Sequence, residues 1–242
     1  MPFTFSHPAI VLPLAFLPRR YVSLTGLIIG SITPDFEYFL RMRVQSEYSH
    51  TIGGIFYFNL PFGMLLAFVF HNIIRNNLFD NLPIVLKSRF AIFNQFNWNI
   101  HFKKNWLAVM ISIVIGAASH IFWDSFTHEH GYFVQRISIL VTSIEFFEKK
   151  VLVLKVLQHL STMLGGFIIA YVIYKMPKDR KASPQIHSKY WSIQIIITLA
   201  VIALRILSGL DYRLYGHLIA TAISAVLLSL ILTSMIWQKI KR

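Results

Sequence analysis

Residues 106–126 read WLAVMISIVIGAASHIFWDSF, an apolar run free of Lys, Arg and Glu that closes on His120 and Asp124. A membrane-spanning helix needs about 20 predominantly apolar residues, and this run meets that length. Segments at roughly 21–40, 55–74, 151–174, 191–208 and 215–237 meet it too. The expected fold class is therefore all-α, a polytopic membrane helix bundle of about six transmembrane helices. Residues 8–18 are apolar but short and interrupted by prolines, which suits an interfacial or re-entrant segment.

Composition agrees. The chain has 242 residues, 55% of them hydrophobic and 14% charged, with a mean hydropathy of +0.58. Soluble domains carry about 25% charge. No internal repeat or low-complexity linker divides the chain, so one integral-membrane domain over 1–242 is expected, with its motifs in 1–175 and plainer helices over 191–237. The N-terminus, MPFTFSHPAIVLPLAFLPRR, lacks the basic start and small-residue cleavage site of a signal peptide. With no cysteine, disulfides, iron–sulfur clusters and thiolate–zinc sites are excluded. Any metal must be held by His, Asp or Glu.

The net charge of +13 fits basic loops facing anionic lipid better than nucleic-acid binding. Arg19 and Arg20 precede the first span. Arg75, Lys87, Arg89, Lys103 and Lys104 follow the second, Lys175, Lys178, Arg180, Lys181 and Lys189 the fourth, and Lys239, Lys241 and Arg242 end the chain. Six alternating spans put all four groups on one side, expected to be cytoplasmic. Asp80 and Asp179 lie on that side, while Asp35, Glu37, Glu47, Asp124, Glu129, Glu145, Glu148 and Asp211 lie on or toward the other.

That topology sends chemistry-bearing residues from four chain regions to one membrane face: Asp35, His50, the group His120, Asp124, His128 and His130, and His159. His120 and Asp124 are four apart and share a helix face. Such an i, i+4 pair chelates without loop rearrangement. Imidazole and carboxylate suit zinc, with manganese or iron as alternatives. Thr33-Pro34-Asp35 reads as a helix restart, Thr as N-cap and Pro at the first helical position. There Asp35 can ligate, bridge or act as a base. His71, His101, His130, His187 and His217 read as wet interfacial residues. For His120 and Asp124 the competing reading is a plain ion pair or interhelical hydrogen bond, but intramembrane ionisable residues are functional by default.

MPFTFSHPA, GSITPDFEYF, SHTIGG, SHIFWDSFTHEHG and LQHLST occur in that order. In these motifs the chain resembles a bacterial integral-membrane family known as domain of unknown function 4184. That family is remotely similar to membrane-bound metal-dependent hydrolases, and through them to the zinc-dependent phospholipase C and S1/P1 nuclease fold. By that resemblance, His7, Asp35, His50, His120 and Asp124 are metal ligands. His128 stands for a later His ligand. His159 opens a pair whose i+4 position is Met163 rather than Glu, which implies one or two metals rather than three. For His7 to join, residues 8–18 must enter the bilayer or the amino end must lie outside.

The expected function is a metal-dependent hydrolase, with Asp35 as catalytic residue, acting on a phosphoester, lipid-linked for instance, at the non-cytoplasmic face of a bacterial inner membrane. The alternative is a transporter or scaffold whose His/Asp cluster carries protons or metal. No His-Glu-x-x-His and no glycine-rich phosphate loop occurs.

Overall fold

The structure is a computed structural model that describes residues 3–18, 20–146, 149–211 and 213–241. Arg19, Glu148 and Arg242, counted above in the charge pattern, lie outside the described residues. The N-terminal segment runs through a 3-10 turn, α1 (Pro8–Val11) and a second 3-10 turn at Leu12–Phe16. Then come α2 (Leu24–Ile32), a 3-10 turn at Thr33–Asp35 and α3 (Phe36–Arg41). The long helix α4 (Ile52–Asp80) is followed by the short α5 (Ile84–Phe90) and by α6 (Trp98–Asp124). An antiparallel hairpin, β1 (Ser143–Phe146) with β2 (Lys149–Leu152), precedes α7 (Val153–Lys175), α8 (Ser188–Leu207) and α9 (Tyr215–Ile240).

Five helices, α4, α6, α7, α8 and α9, are long and apolar enough to cross a membrane. The chain is thus an all-α, multi-pass membrane protein. The expected first span over 21–40 is not one helix. It is α2 and α3 on either side of the Thr33–Asp35 turn. Pro34 explains the division. It lacks an N–H, and the Gly30 carbonyl accepts from Thr33 Oγ1 at 2.8 Å instead; Thr33 itself stays helical (φ −58°, ψ −35°), closing α2 rather than capping the next helix as expected. The backbone stays helical through residues 24–41 but tightens to a 3-10 turn at Thr33–Asp35. A second proline, Pro61, lies inside α4. The turn before it widens into a π-helix at Ile55–Asn59, closed by the Leu60 N–H on the Ile55 carbonyl. Such widening relieves the clash a proline makes with the preceding turn. α6 has a non-helical residue at Asn105 (φ −132°, ψ 27°), just before the apolar run begins at Trp106.

The chain divides into two compact units. The first comprises residues 1–35, 48–64 and 105–172. In it α2 lies directly on α6. A Cβ on Gly26 would stand 2.7 Å from the Val109 carbonyl oxygen, one on Gly116 would stand 2.6 Å from the Ser31 nitrogen, and one on Gly30 would collide with the Ile113 carbonyl. Backbones this close need glycine, as is common between membrane helices. Ser23 caps α2, its Oγ accepting from the Gly26 N–H at 3.2 Å, and its own N–H donates to Ser112 Oγ at 2.9 Å. Val11, Val22 and Leu27 form one buried apolar cluster, and Val134, Leu140 and Leu154 another.

The second unit comprises 36–47, 65–104 and 173–242. Here α8 and α9 pair through polar side chains. Gln194 Nε2 donates to Ser229 Oγ at 2.5 Å and to the Val226 carbonyl at 3.2 Å. Ser224 Oγ donates to the Phe39 carbonyl at 2.7 Å, and Trp191 Nε1 to the Asn81 carbonyl at 2.8 Å. In hydrocarbon, where helices gain little by hiding apolar surface from one another, such bonds and small residues supply the packing.

Candidate metal centre

Four short pieces of the first unit supply the donors. Asp35 is fully buried at the end of the Thr33–Asp35 turn. His50 sits in the loop before α4. That loop is held by Asn59 Nδ2, which donates to the Ser49 carbonyl at 2.7 Å, and by Thr51, whose Oγ1 accepts from the Gly54 N–H at 2.8 Å. His120 and Asp124 occupy the last turns of α6, both buried. Asp35, His50, His120 and Asp124 each offer one ligand atom to a common group whose members lie within 4.8 Å of one another. This group could hold a metal ion.

The distances between those atoms are informative. His50 Nε2 is 3.4 Å from Asp35 Oδ1 and 3.7 Å from Asp124 Oδ2. His120 Nε2 is 3.6 Å from Asp35 Oδ1 and 3.2 Å from Asp124 Oδ2. A charged imidazolium bonded to a carboxylate would close to about 2.7–2.9 Å. Donors set about 2.1 Å from a tetrahedral ion stand about 3.4 Å from one another. The observed contacts match the second pattern. Asp35 Oδ1, His120 Nε2 and both Asp124 oxygens are buried and make no hydrogen bond among the described residues. Two buried carboxylates have imidazoles alone as ion-pair partners among the described residues, a charge balance that a bound cation could complete.

The surrounding atoms orient the donors. His120 Nδ1 donates to the Ser31 carbonyl at 2.7 Å, which leaves the Nε2 lone pair facing the group, the arrangement typical of metal-ligating histidines. Thr4 Oγ1 donates to Asp35 Oδ2 at 2.5 Å, leaving Oδ1 for the group. Ser49 Oγ lies 3.1 Å from His50 Nδ1. Neither Thr4 nor Ser31 stands out in sequence, because each contact is made across the fold rather than along the chain.

The remaining sequence candidates separate. His7, between the first 3-10 turn and α1, stacks on His120 with ring centroids 3.8 Å apart, and its Nε2 is 3.5 Å from Asp124 Oδ1. His128 lies past the end of α6 with Nδ1 donating to the Asp124 carbonyl at 3.0 Å and 3.6 Å from Asp124 Oδ2. Burial pushes its imidazole below the usual proton affinity, against the opposing pull of Asp124. His159 is exposed on α7 and outside the group. Among the five histidines expected at wet interfaces, His71 differs. It is buried in the second unit, stacked on Trp98 at 4.6 Å, because an aromatic pocket covers it.

A family model described as domain of unknown function (DUF4184) matches residues 1–235. The chain belongs to that family. No curated protein and no solved structure gives a significant match to the chain.

Proposed function

We propose that this member of the family is a metal-dependent membrane hydrolase that cleaves a phosphoester at the non-cytoplasmic face. The observation that carries the reading is the convergence of Asp35, His50, His120 and Asp124 at spacings that suit ligands around one ion rather than hydrogen-bonded ion pairs. The donor set is mixed imidazole and carboxylate, which suits zinc best and manganese or iron as well.

When bound, a divalent metal supplies a water acidified toward a pKa of ~7 and polarises a phosphoryl oxygen. The chain's own groups do the rest. His50, His120 and Asp124 bind. Asp35, steadied at Oδ2 by Thr4, is assigned both as a ligand and as the acceptor of the water's proton. The positive-inside pattern puts this group on the side away from the basic loops, in a bacterial inner membrane. A lipid-linked phosphoester could reach it by diffusing in the plane of the bilayer. A transporter would need polar groups leading onward through the helices. Ser112, one candidate for such a path, is instead bonded to the Ser23 backbone.

The test is elemental analysis and turnover on one preparation. Purified wild type should carry zinc, manganese or iron and cleave bis(p-nitrophenyl) phosphate or p-nitrophenyl phosphate. His120→Ala and Asp124→Ala should lose both metal and activity. Folded, metal-free wild type with normal cellular function would overturn the proposal. Bound metal that crosses the membrane of sealed vesicles, without phosphoester cleavage, would favour a transporter.

A further inference from the structure

A cavity of about 180 Å³ lies in the first unit between the N-terminal segment, α6 and α7. Its wall includes Ile10, Trp123, Leu164, Gly165 and Ile168, and His7 lines it too. His7 also stacks on His120 and approaches Asp124 Oδ1 at 3.5 Å. One side chain therefore touches both the cavity and the metal-binding group.

Away from that end the wall is largely apolar, its polar groups being the Trp123 indole N–H and two serine hydroxyls. The hydroxyls of Ser6 and Ser161, which also line it, donate within their own segments, to the Phe3 carbonyl at 2.6 Å and the Gln158 carbonyl at 3.0 Å. Both His7 nitrogens are buried and make no hydrogen bond among the described residues. The rim is open, since Leu164 is 61% and Ile10 42% exposed. Counting 1.5 Å per residue from the start of α7 at Val153, Ser161 to Ile168 lie roughly 12–22 Å along it. That depth falls within a hydrocarbon core about 30 Å thick. With α7 entering the bilayer at its first turn, as its length and composition allow, an opening at that level meets acyl or isoprenyl chains rather than water. Apart from the Trp123 indole N–H, a polar ligand would meet only serine hydroxyls already donating within their own segments until it reached His7.

We propose that this cavity seats the hydrocarbon tail of an amphiphilic phosphoester that enters sideways from the bilayer, with the ester placed at Asp35, His50, His120 and Asp124 and His7 at the junction of tail and head. The proposal rests on the phosphoester reading above and names its substrate class, a single-chain lipid phosphate or phosphodiester. The volume takes a length of chain, not a whole two-chain lipid. Gly165 keeps the seat narrow. A Cβ there would stand 2.7 Å from the Ser6 carbonyl oxygen, so the N-terminal segment lies directly on α7.

Two measurements on the full-length protein in lipid nanodiscs test this. In the first, metal-loaded protein cleaves p-nitrophenyl dodecyl phosphate and p-nitrophenyl ethyl phosphate. Wild type should prefer the long chain at least tenfold in kcat/KM. Ile168→Phe and the rim variant Leu164→Trp should lose that preference while keeping short-chain turnover. Leu164 is exposed, so its replacement should not disturb folding. Equal rates for the two chains, with turnover that needs His120, would overturn the tail seat and leave the hydrolase intact. The second measurement needs no turnover. A dodecylphosphonate brominated in its chain should quench wild-type fluorescence saturably, and the saturable part should vanish in Trp123→Phe and weaken in Ile168→Phe. That result would support the seat even if no phosphoester were cleaved, a case in which the hydrolase reading fails by itself. Quenching that is unsaturable, or unchanged in Trp123→Phe, would overturn the seat.

Discussion

Thr4 illustrates what one hydroxyl does for a buried carboxylate. Its bond to Asp35 Oδ2 joins residues 31 apart in the chain, and that from His120 to the Ser31 carbonyl spans 89. Contacts of this kind leave no periodic trace, so neither support was legible in sequence. The pair His120 and Asp124 was legible, because helical spacing alone puts i and i+4 together. Thr4→Val keeps the shape but removes the donor, and should weaken metal binding by about 10–100-fold, read by competition with a chromophoric chelator. Thr4→Ser should restore it. His159→Ala should leave metal content unchanged, since that residue is exposed and apart from the group. Metal loss in His159→Ala would show a ligand role that the described geometry does not contain.

At the scale of elements, the contact of α2 with α6 holds the Ser31 carbonyl against His120. Gly30→Leu or Gly116→Val would force backbones apart. Overpacking costs about 1–3 kcal/mol, and here no flexible side chain can yield. Both variants should lower the thermal midpoint in detergent and reduce bound metal together. Gly166→Ala is the control, as a Cβ there meets nothing within 4 Å. The long spans were legible because their hydropathy is continuous. The interruption of the first was legible in Thr33-Pro34, read as a helix restart, but Thr33 was misjudged as an N-cap, since its hydroxyl donates back to the Ile29 and Gly30 carbonyls. The strands β1 and β2 were not foreseen: Glu145 and Glu148 were placed toward the outer side, and Val151 and Leu152 at the start of the fourth span. Each strand is four residues long, too short for a reliable alternating pattern.

For the whole molecule, metal and fold should be linked. A ligand at a hundred times its dissociation constant stabilises the folded state by about 2.7 kcal/mol. Stripping wild type with a chelator should therefore lower its midpoint, and zinc should restore it. The shift should be absent in Asp124→Ala. Ser229→Ala, in the second unit, removes an interhelical bond worth about 0.6 kcal/mol and should leave metal binding untouched. Sidedness can be read cleanly because the chain has no cysteine. A cysteine at Lys181 should react with an impermeant thiol reagent only in broken cells, and one at His130 in intact cells. The reverse pattern would invert the proposed orientation.

The order in which the donors are made has a further consequence. Asp35 and His50 leave the ribosome long before His120 and Asp124, and the carbonyl that orients His120 waits for it across 89 residues. The proposed loading with metal would then follow synthesis of α6 and precede completion of the chain, so it would report an intermediate step of biogenesis. Nascent chains arrested before residue 120 should emerge from the cell without the ion, and chains arrested after α7 should already carry it.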